Sequence, residues 1–323
     1  MKSIPDFLKI KEPNQIVNEI SEFIKETIFE KHGKKGAVIG ISGGIDSAVT
    51  AGLCSKILEQ NNVLGVILPE KESEKESENL AKIVMKKFNI KYEIVDITNI
   101  LESFGVYEKK ESIVKEKFTE YDENCKYRVV VPSKLENNIG IPFLEILDSN
   151  NNNHKMKISA AEFLTLTAAT SIKHRVRMTM LYYFAEKNNF SVIGTTNKSE
   201  FQQGYFVKYG DGGTDIEPLV NLYKSQIYQI GNTLNVPEEI CKKDASPDVW
   251  SFPTTDEEFF YSVPYEIVDL ILYGIENNLT VEQIQKFSDL SKENIEILIK
   301  SQEQKLIKTK HMREMPYSWK PNI

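Results

Sequence analysis

Residues 37–50 read Ala-Val-Ile-Gly-Ile-Ser-Gly-Gly-Ile-Asp-Ser-Ala-Val-Thr. Ala37 to Ile41 make an apolar strand, Gly43 and Gly44 a turn, and a helix opens at Ser47. Such a turn is an anion site. Glycine admits left-handed backbone and close approach, while the N–H groups and dipole of the helix start face a negative group. Ser42 and Ser47 add hydroxyl donors, and the Asp46 carboxylate suits a magnesium ion. No lysine follows the glycines, so this is not the G-x-x-x-x-G-K-[ST] loop, and the spacing is not G-x-G-x-x-G. The plain alternative is an ordinary βα turn with an N-capping serine.

Outward from the turn, apolar strands alternate with amphipathic helices. Spacing predicts a helix over 13–31, capped by Asn14, before the first strand. After it come a helix over 47–60, a strand over 63–68, a helix over 74–88 and a strand over 91–96. The charged run 70–78 reads as the solvated start of the second of these helices. Residues 104–157 mix charge, a strand-like run at 128–131, two prolines and Asn150 to Asn153, which predicts an irregular insertion with mobile loops. A long helix over 159–189 and a strand over 190–194 follow, then helices over 224–234, 264–273, 281–287 and 292–301. The fold class expected is α/β: a doubly wound parallel sheet with helices on both faces and ligands at the carboxyl ends of the strands. One domain over 1–323 is expected, with a helical C-terminal part from about 264.

The 323 residues are 41% hydrophobic and 27% charged, a globular composition. A net charge of -7 argues against a nucleic-acid partner, since phosphate backbones need a basic face. No run of about 18 apolar residues occurs and the N-terminus lacks a signal-peptide core, so no membrane association and a cytoplasmic location are expected. Cys54, Cys125 and Cys241 are too scattered for a disulfide framework or a zinc site. Only about 36 residues precede the first strand, too few for a glutaminase domain, and no cysteine nucleophile stands near Met1.

Ser42-Gly-Gly-Ile-Asp-Ser47 after a strand resembles the pyrophosphate loop of the ATP pyrophosphatases, which cut ATP to AMP and pyrophosphate to activate a carboxylate or carbonyl. A second motif follows the strand at 190–194: Gly194-Thr-Thr-Asn-Lys-Ser-Glu200, Gly204-Tyr-Phe-Val-Lys208-Tyr-Gly-Asp211-Gly-Gly-Thr-Asp215, then Asn221-Leu-Tyr-Lys224. Asp46 and Glu200 both lie at strand ends, where they could share one metal ion, and Lys208 and Lys224 suit phosphate charge. Gly210, Gly212 and Gly213 indicate backbone against a ligand or in a left-handed turn. Taken together, these motifs resemble ammonia-dependent NAD synthetase, over about 36–100 and 159–275.

The resemblance implies a homodimer packed through long helices, with ATP, ammonia and deamido-NAD as substrates and Mg2+ as cofactor. It implies that Gly40, Ile41, Ser42, Gly43, Gly44, Ile45, Asp46 and Ser47 grip ATP, with Thr195, Arg177, Lys224 and Ser246. Asp46 and Glu200 would bind the metal; Arg175, Lys208, Asp215, His311 and Met312 would hold deamido-NAD; Asp46, Lys208 and Asp211 would serve catalysis. Departures from the family pattern at Ser171, at Met312 and across 245–260 fall on the acid-substrate side, which leaves a second reading: a paralogue amidating a different carboxylic acid. Transfer-RNA thiolation or lysidine formation fits poorly with an acidic chain lacking paired cysteines. A catalytically dead nucleotide sensor would lack a charged site residue, and Asp46, Glu200, Lys208 and Lys224 are all present. His174 on the long helix reads as an interface or surface group, and His154, after the asparagines, as solvated.

Overall fold

The computed structural model describes residues 5–133, 135 and 141–319. In chain order its elements are α1 (Pro13–Glu26), β1 (Ala37–Gly40), α2 (Ile45–Ile57), β2 (Val63–Ile67), α3 (Lys75–Phe88), β3 (Lys91–Ile94), α4 (Thr98–Ser103), α5 (Val106–Lys117), β4 (Lys126–Val130), β5 (Phe143–Leu147), β6 (Asn153–Lys157), α6 (Ala160–Asn188), β7 (Ser191–Ile193), α7 (Lys198–Gln203), α8 (Lys224–Thr233), α9 (Glu238–Lys242), α10 (Tyr265–Glu276), α11 (Val281–Gln285) and α12 (Lys292–Lys308). Local chemistry sets several ends. Pro13 opens α1, where its missing N–H is an orphan anyway. Ser159 and Glu162 form a reciprocal capping box at the start of α6, and Asn189 ends that helix in the left-handed conformation.

The main sheet is parallel, in the order β3-β2-β1-β7. Its strands alternate between two apolar layers, as a period of two requires. Ala37 and Ile39 of β1 face a core shared with α1, α2, α3 and α8, while Val38 faces another built on α4, α5 and α6. The α/β class expected from the sequence is the one observed. From β1 the chain winds outward to β2 and β3, whereas β7 lies on the opposite side of β1. The strand order therefore reverses at β1/β7, and a crevice opens where the loops after these two strands part.

Two sequence expectations are corrected. The 104–157 stretch is largely regular: α5 is followed by β4, β5 and β6, an antiparallel three-stranded sheet. Its apolar face, with Val129, Leu144 and Ile146, packs on α5, on Leu166 of α6 and on Val249 and Trp250. The short period-2 runs carry charged outer residues, which hid two of the three strands. Residues 134 and 136–140 of this insertion lie outside the described residues, as does the chain start at 1–4. The run 70–78 is a solvated helix start only in its second half: Lys75 and Glu76 open α3 exposed, whereas Glu70 and Glu72 are buried in the loop before it. The helical C-terminal part forms its own apolar cluster, from α10 and α12 with Leu8 and Tyr223.

Candidate active site

The crevice is built from the glycine turn outward. Gly43 has φ of 81°, and a Cβ there would lie 2.4 Å from the Ser77 carbonyl oxygen, so residue 43 answers both to left-handed backbone and to close approach. Gly44 does not share that geometry: with φ of -90° and ψ of 166° it is the N-cap of α2, which starts at Ile45 rather than Ser47. Ser47 is buried, and its hydroxyl donates to the Gly44 carbonyl at 3.0 Å and meets the Ser42 hydroxyl at 3.2 Å. It staples the turn from within.

Gly40, Ile41, Ser42, Gly44, Ile45 and Asp46 line the cavity together with Arg177, Thr195, Glu200, Asp211, Lys224 and Ser246. Gly43 and Ser47 support this wall without lining it. Arg175, Lys208, Asp215, His311 and Met312 lie outside the lining. Lys208 Nζ instead donates to the carbonyls of His311 at 2.8 Å and Glu314 at 3.2 Å, which docks the C-terminal tail. Arg175 Nε donates to the Lys208 carbonyl at 3.3 Å. Asp215 accepts from the Tyr182 hydroxyl and the Val192 N–H, both at 2.8 Å, and so ties its loop to β7 and α6.

The electrostatic centre is Lys224, whose side chain is 3% exposed. Its ammonium bonds Asp46 Oδ2 and lies 3.5 Å from Glu200 Oε1. The two carboxylates therefore converge on one cation. Asn197 caps α7, accepting from the Glu200 N–H at 3.0 Å, and donates to Asp46 Oδ1 at 3.0 Å, so a single side chain registers both acids. Burial opposes charge on Lys224, but Asp46, Glu200 and Asp256 outweigh it and hold the ammonium well above the usual lysine range. Burial and the nearby Asp46 push Glu200 up to about 8. Burial also raises Asp256, which accepts from the hydroxyls of Tyr205 at 2.8 Å and Tyr265 at 2.7 Å. Three acids around one lysine leave negative charge that an added cation would neutralise. Among the described residues no cluster of three His, Cys, Asp or Glu side chains could hold a metal unaided.

Sequence reasoning did not count Asp256, His174 or Lys243 among the site residues, yet all three line the cavity. His174 Nδ1 lies 3.2 Å from Asp211 Oδ1, which also accepts the Val207 N–H at 3.0 Å. Asp256 lies in the stretch 245–260 that departs from the family pattern, and its bonds to the Tyr205 and Tyr265 hydroxyls come from distant or later residues that no local motif announces. The glycines around Asp211 serve their own loop: a Cβ at Gly212 would meet the Phe206 ring at 2.3 Å, and one at Gly210 the His174 Cβ at 2.8 Å. The left-handed residue of that loop is Tyr209, with φ of 63°.

Comparison with known proteins decides the family. The sequence profile of the NAD synthase family matches residues 16–140 and 131–316. The chain belongs to the NAD synthase family. The NH(3)-dependent NAD(+) synthetase of Rhizobium rhizogenes is 36% identical over 283 residues, covering 87% of this chain and 85% of that protein. Among solved structures, the NH3-dependent NAD synthetase of Campylobacter jejuni, in complex with the nitrate ion, superposes with a TM-score of 0.64 at 25% identity, covering 96% of this chain and 100% of that one. The NMN synthetase of Francisella tularensis superposes with a TM-score of 0.66 at 26% identity, covering 96% and 99%. Membership makes this NAD synthetase-like chain a carbon–nitrogen ligase whose ATP-dependent amidation gives NAD. No helix among the described residues is long and apolar enough to cross a membrane.

Proposed function

We propose that the crevice at the ends of β1 and β7 is where ATP and deamido-NAD meet, and that the residues lining it carry the two half-reactions. The observation that supports this best is the convergence of Asp46 and Glu200 on the Lys224 ammonium beside the glycine turn. In this reading a carboxylate oxygen of nicotinate attacks the α-phosphorus of ATP, the bond to the β-phosphate bridge breaks, and pyrophosphate leaves. Ammonia then attacks the acyl carbon, AMP departs with the bonding electron pair, and a proton is shed to give the neutral amide.

The chain's part is positional and electrostatic. The N–H groups opening α2 and the Ser42 hydroxyl would receive the phosphates, and Arg177 and Lys224 would offset the charge of the leaving group. Thr195 and Ser246 would orient the nucleotide. Asp211, paired with His174, is placed in this reading near the acyl carbon. Lys208, Arg175, Asp215, His311 and Met312 would act on deamido-NAD through the tail and the outer face of α6, within a homodimer.

Mg2+ fits the residues present. It is a hard cation that takes one or two carboxylates plus substrate phosphate oxygens, and Asp46 and Glu200 supply two such carboxylates in a region of excess negative charge. Asp46 and Glu200 would hold it, and when bound it would screen the charge of the departing pyrophosphate. With nucleotide substrates on both sides, a single catalytic unit working in the cytoplasm belongs to the same proposal.

The test supplies purified protein with ATP, Mg2+, ammonium and deamido-NAD and follows NAD and AMP together. Equimolar NAD and AMP are expected. Lys224→Met should lower kcat/KM for ATP by about 10²-fold or more, the usual loss of one charged transition-state contact. Amidation of nicotinate mononucleotide in place of deamido-NAD, or release of ADP rather than AMP, would overturn the reading.

A further inference from the structure

Behind the cavity wall lies a second charged assembly that the reaction scheme leaves unused. Glu70 and Glu72 sit in the loop between β2 and α3, Lys110 on α5 and Lys173 on α6, and both lysine side chains are 0% exposed. Lys173 Nζ donates to Glu70 Oε1 at 2.7 Å and to Glu72 Oε2, where Lys110 Nζ also donates. Both ammonium groups donate to the Val249 carbonyl at 3.0 Å. The Tyr107 hydroxyl donates to Glu70 Oε2 at 2.7 Å and the Tyr127 hydroxyl to Glu72 Oε1 at 2.6 Å. The Lys110 ammonium also stands 4.4 Å from the ring centre of Trp250.

A balanced cluster of this kind is not built for stability, because desolvating two lysines and two glutamates cancels most of their attraction, and well-packed apolar residues would serve as well or better. What the cluster supplies is geometry. The loop that carries Glu70 and Glu72 also places Pro69, Ser73 and Glu74 in the cavity lining, and Val249 directly follows the lining run 243–248. On the cavity side these two walls meet through the Glu74 N–H, which donates to Asp248 Oδ1 at 2.9 Å, and through Lys243 Nζ, which donates to the Ser77 hydroxyl at 2.7 Å. Asp248 has φ of 46°, a left-handed conformation that aspartate adopts more readily than most residues but that still benefits from fixed neighbours. The two ammonium groups hold the next carbonyl, and Asp248 itself bonds the Glu74 N–H and the Ser246 hydroxyl.

We propose that Lys110, Lys173, Glu70, Glu72, Tyr107 and Tyr127 are positioning residues that clamp the two walls of the nucleotide cavity, so that the 104–157 insertion, through Lys110, Tyr107 and Tyr127, sets the affinity for ATP. The proposal rests on the reading that ATP occupies this cavity. Neither tyrosine touches the cavity, and Tyr→Phe keeps volume and charge. Tyr107→Phe with Tyr127→Phe should raise KM for ATP about five- to tenfold, since two hydrogen bonds to buried carboxylates are lost, while KM for deamido-NAD and for ammonium stays within about twofold of the parent. Lys110→Met with Glu72→Gln, which removes one charge of each sign, should raise it further. Where the tyrosine pair melts below the assay temperature, Tyr127→Phe alone carries the measurement. Folded variants with an unchanged KM for ATP, or with kcat lowered and every KM unchanged, would overturn the clamp. Lys224→Met assayed alongside separates the two failures. If it leaves ATP use intact, the cavity is not the nucleotide site and the clamp falls with it; if it abolishes ATP use while the tyrosine variants are silent, only the clamp is lost.

Discussion

At the scale of single residues, the glycine turn shows how one backbone angle can be decisive. Gly43 is held at φ of 81° with the Ser77 carbonyl 2.4 Å from where a Cβ would sit. Gly43→Ala should therefore cost more than the roughly 1–2 kcal/mol of left-handed strain alone, because α3 must also shift. Urea unfolding should show the lower midpoint, and Gly44→Ala, at an ordinary extended φ with only Ser42 Oγ at 3.4 Å, should be much milder. A variant ranking in the opposite order would refute this account of the turn. Glu200 makes a second prediction. Its folded pKa of about 8 stands above the 4.5 of a free glutamate, so between those values the folded state binds the extra proton and stability falls as pH rises through that window. Glu200→Gln should flatten this part of the pH–stability curve in the absence of metal and nucleotide, as read by thermal melts across pH 4.5 to 8.

At the scale of elements, the loop between β2 and α3 and the insertion must be considered together. Glu72 is a carboxylate that burial would neutralise, yet the Lys110 and Lys173 ammonium groups hold it down to about 2. A carboxyl with a depressed folded pKa contributes stability that is fully present above about 4.5 and lost as pH falls toward 2. Acid titration of Glu72→Gln should show a weaker dependence over that range, together with a lower stability at neutral pH, where a lysine is left without its partner. This arrangement was invisible in the sequence because a run of glutamates, lysines and serines at 70–78 has the composition of a solvated surface. Nothing in one dimension reveals that Lys110, 38 residues from Glu72, comes to lie against it. The same limit explains β5 and β6, where Glu145, Lys155 and Lys157 alternate with the apolar residues and dilute the pattern, although Glu145 itself is buried under Arg128 and Lys155.

At the scale of the whole molecule, the long helix α6 ties the parts together. It carries Lys173 into the buried cluster, Arg177 into the cavity and Tyr182 onto the Asp215 loop. Leu164 and Tyr183 remain 65% and 54% exposed on it. Such apolar exposure on a long helix, taken with the proposed homodimer, predicts a particle of twice the 37.0 kDa chain mass in sedimentation equilibrium. Leu164→Glu with Tyr183→Glu should shift that mass toward the single chain while changing the unfolding free energy of that chain by no more than about 1 kcal/mol, as surface changes do. A parent chain that sediments as a monomer would remove the homodimer from the proposal.

The sequence by itself determined the alternation of strands and helices, the parallel sheet and the glycine turn after β1, because each rests on contacts within a few residues along the chain: period two or 3.6, a glycine at a reversal, a cap at a helix start. It also determined which residues could bear chemistry, since Asp46, Glu200 and Lys224 are written into local motifs. Only the tertiary structure decided that these three share one point, that Lys208 holds the tail instead of facing the cavity, and that Asp256 enters the site. Those outcomes depend on which distant segments desolvate one another, and burial of charge is a property of the packed molecule rather than of any stretch of chain.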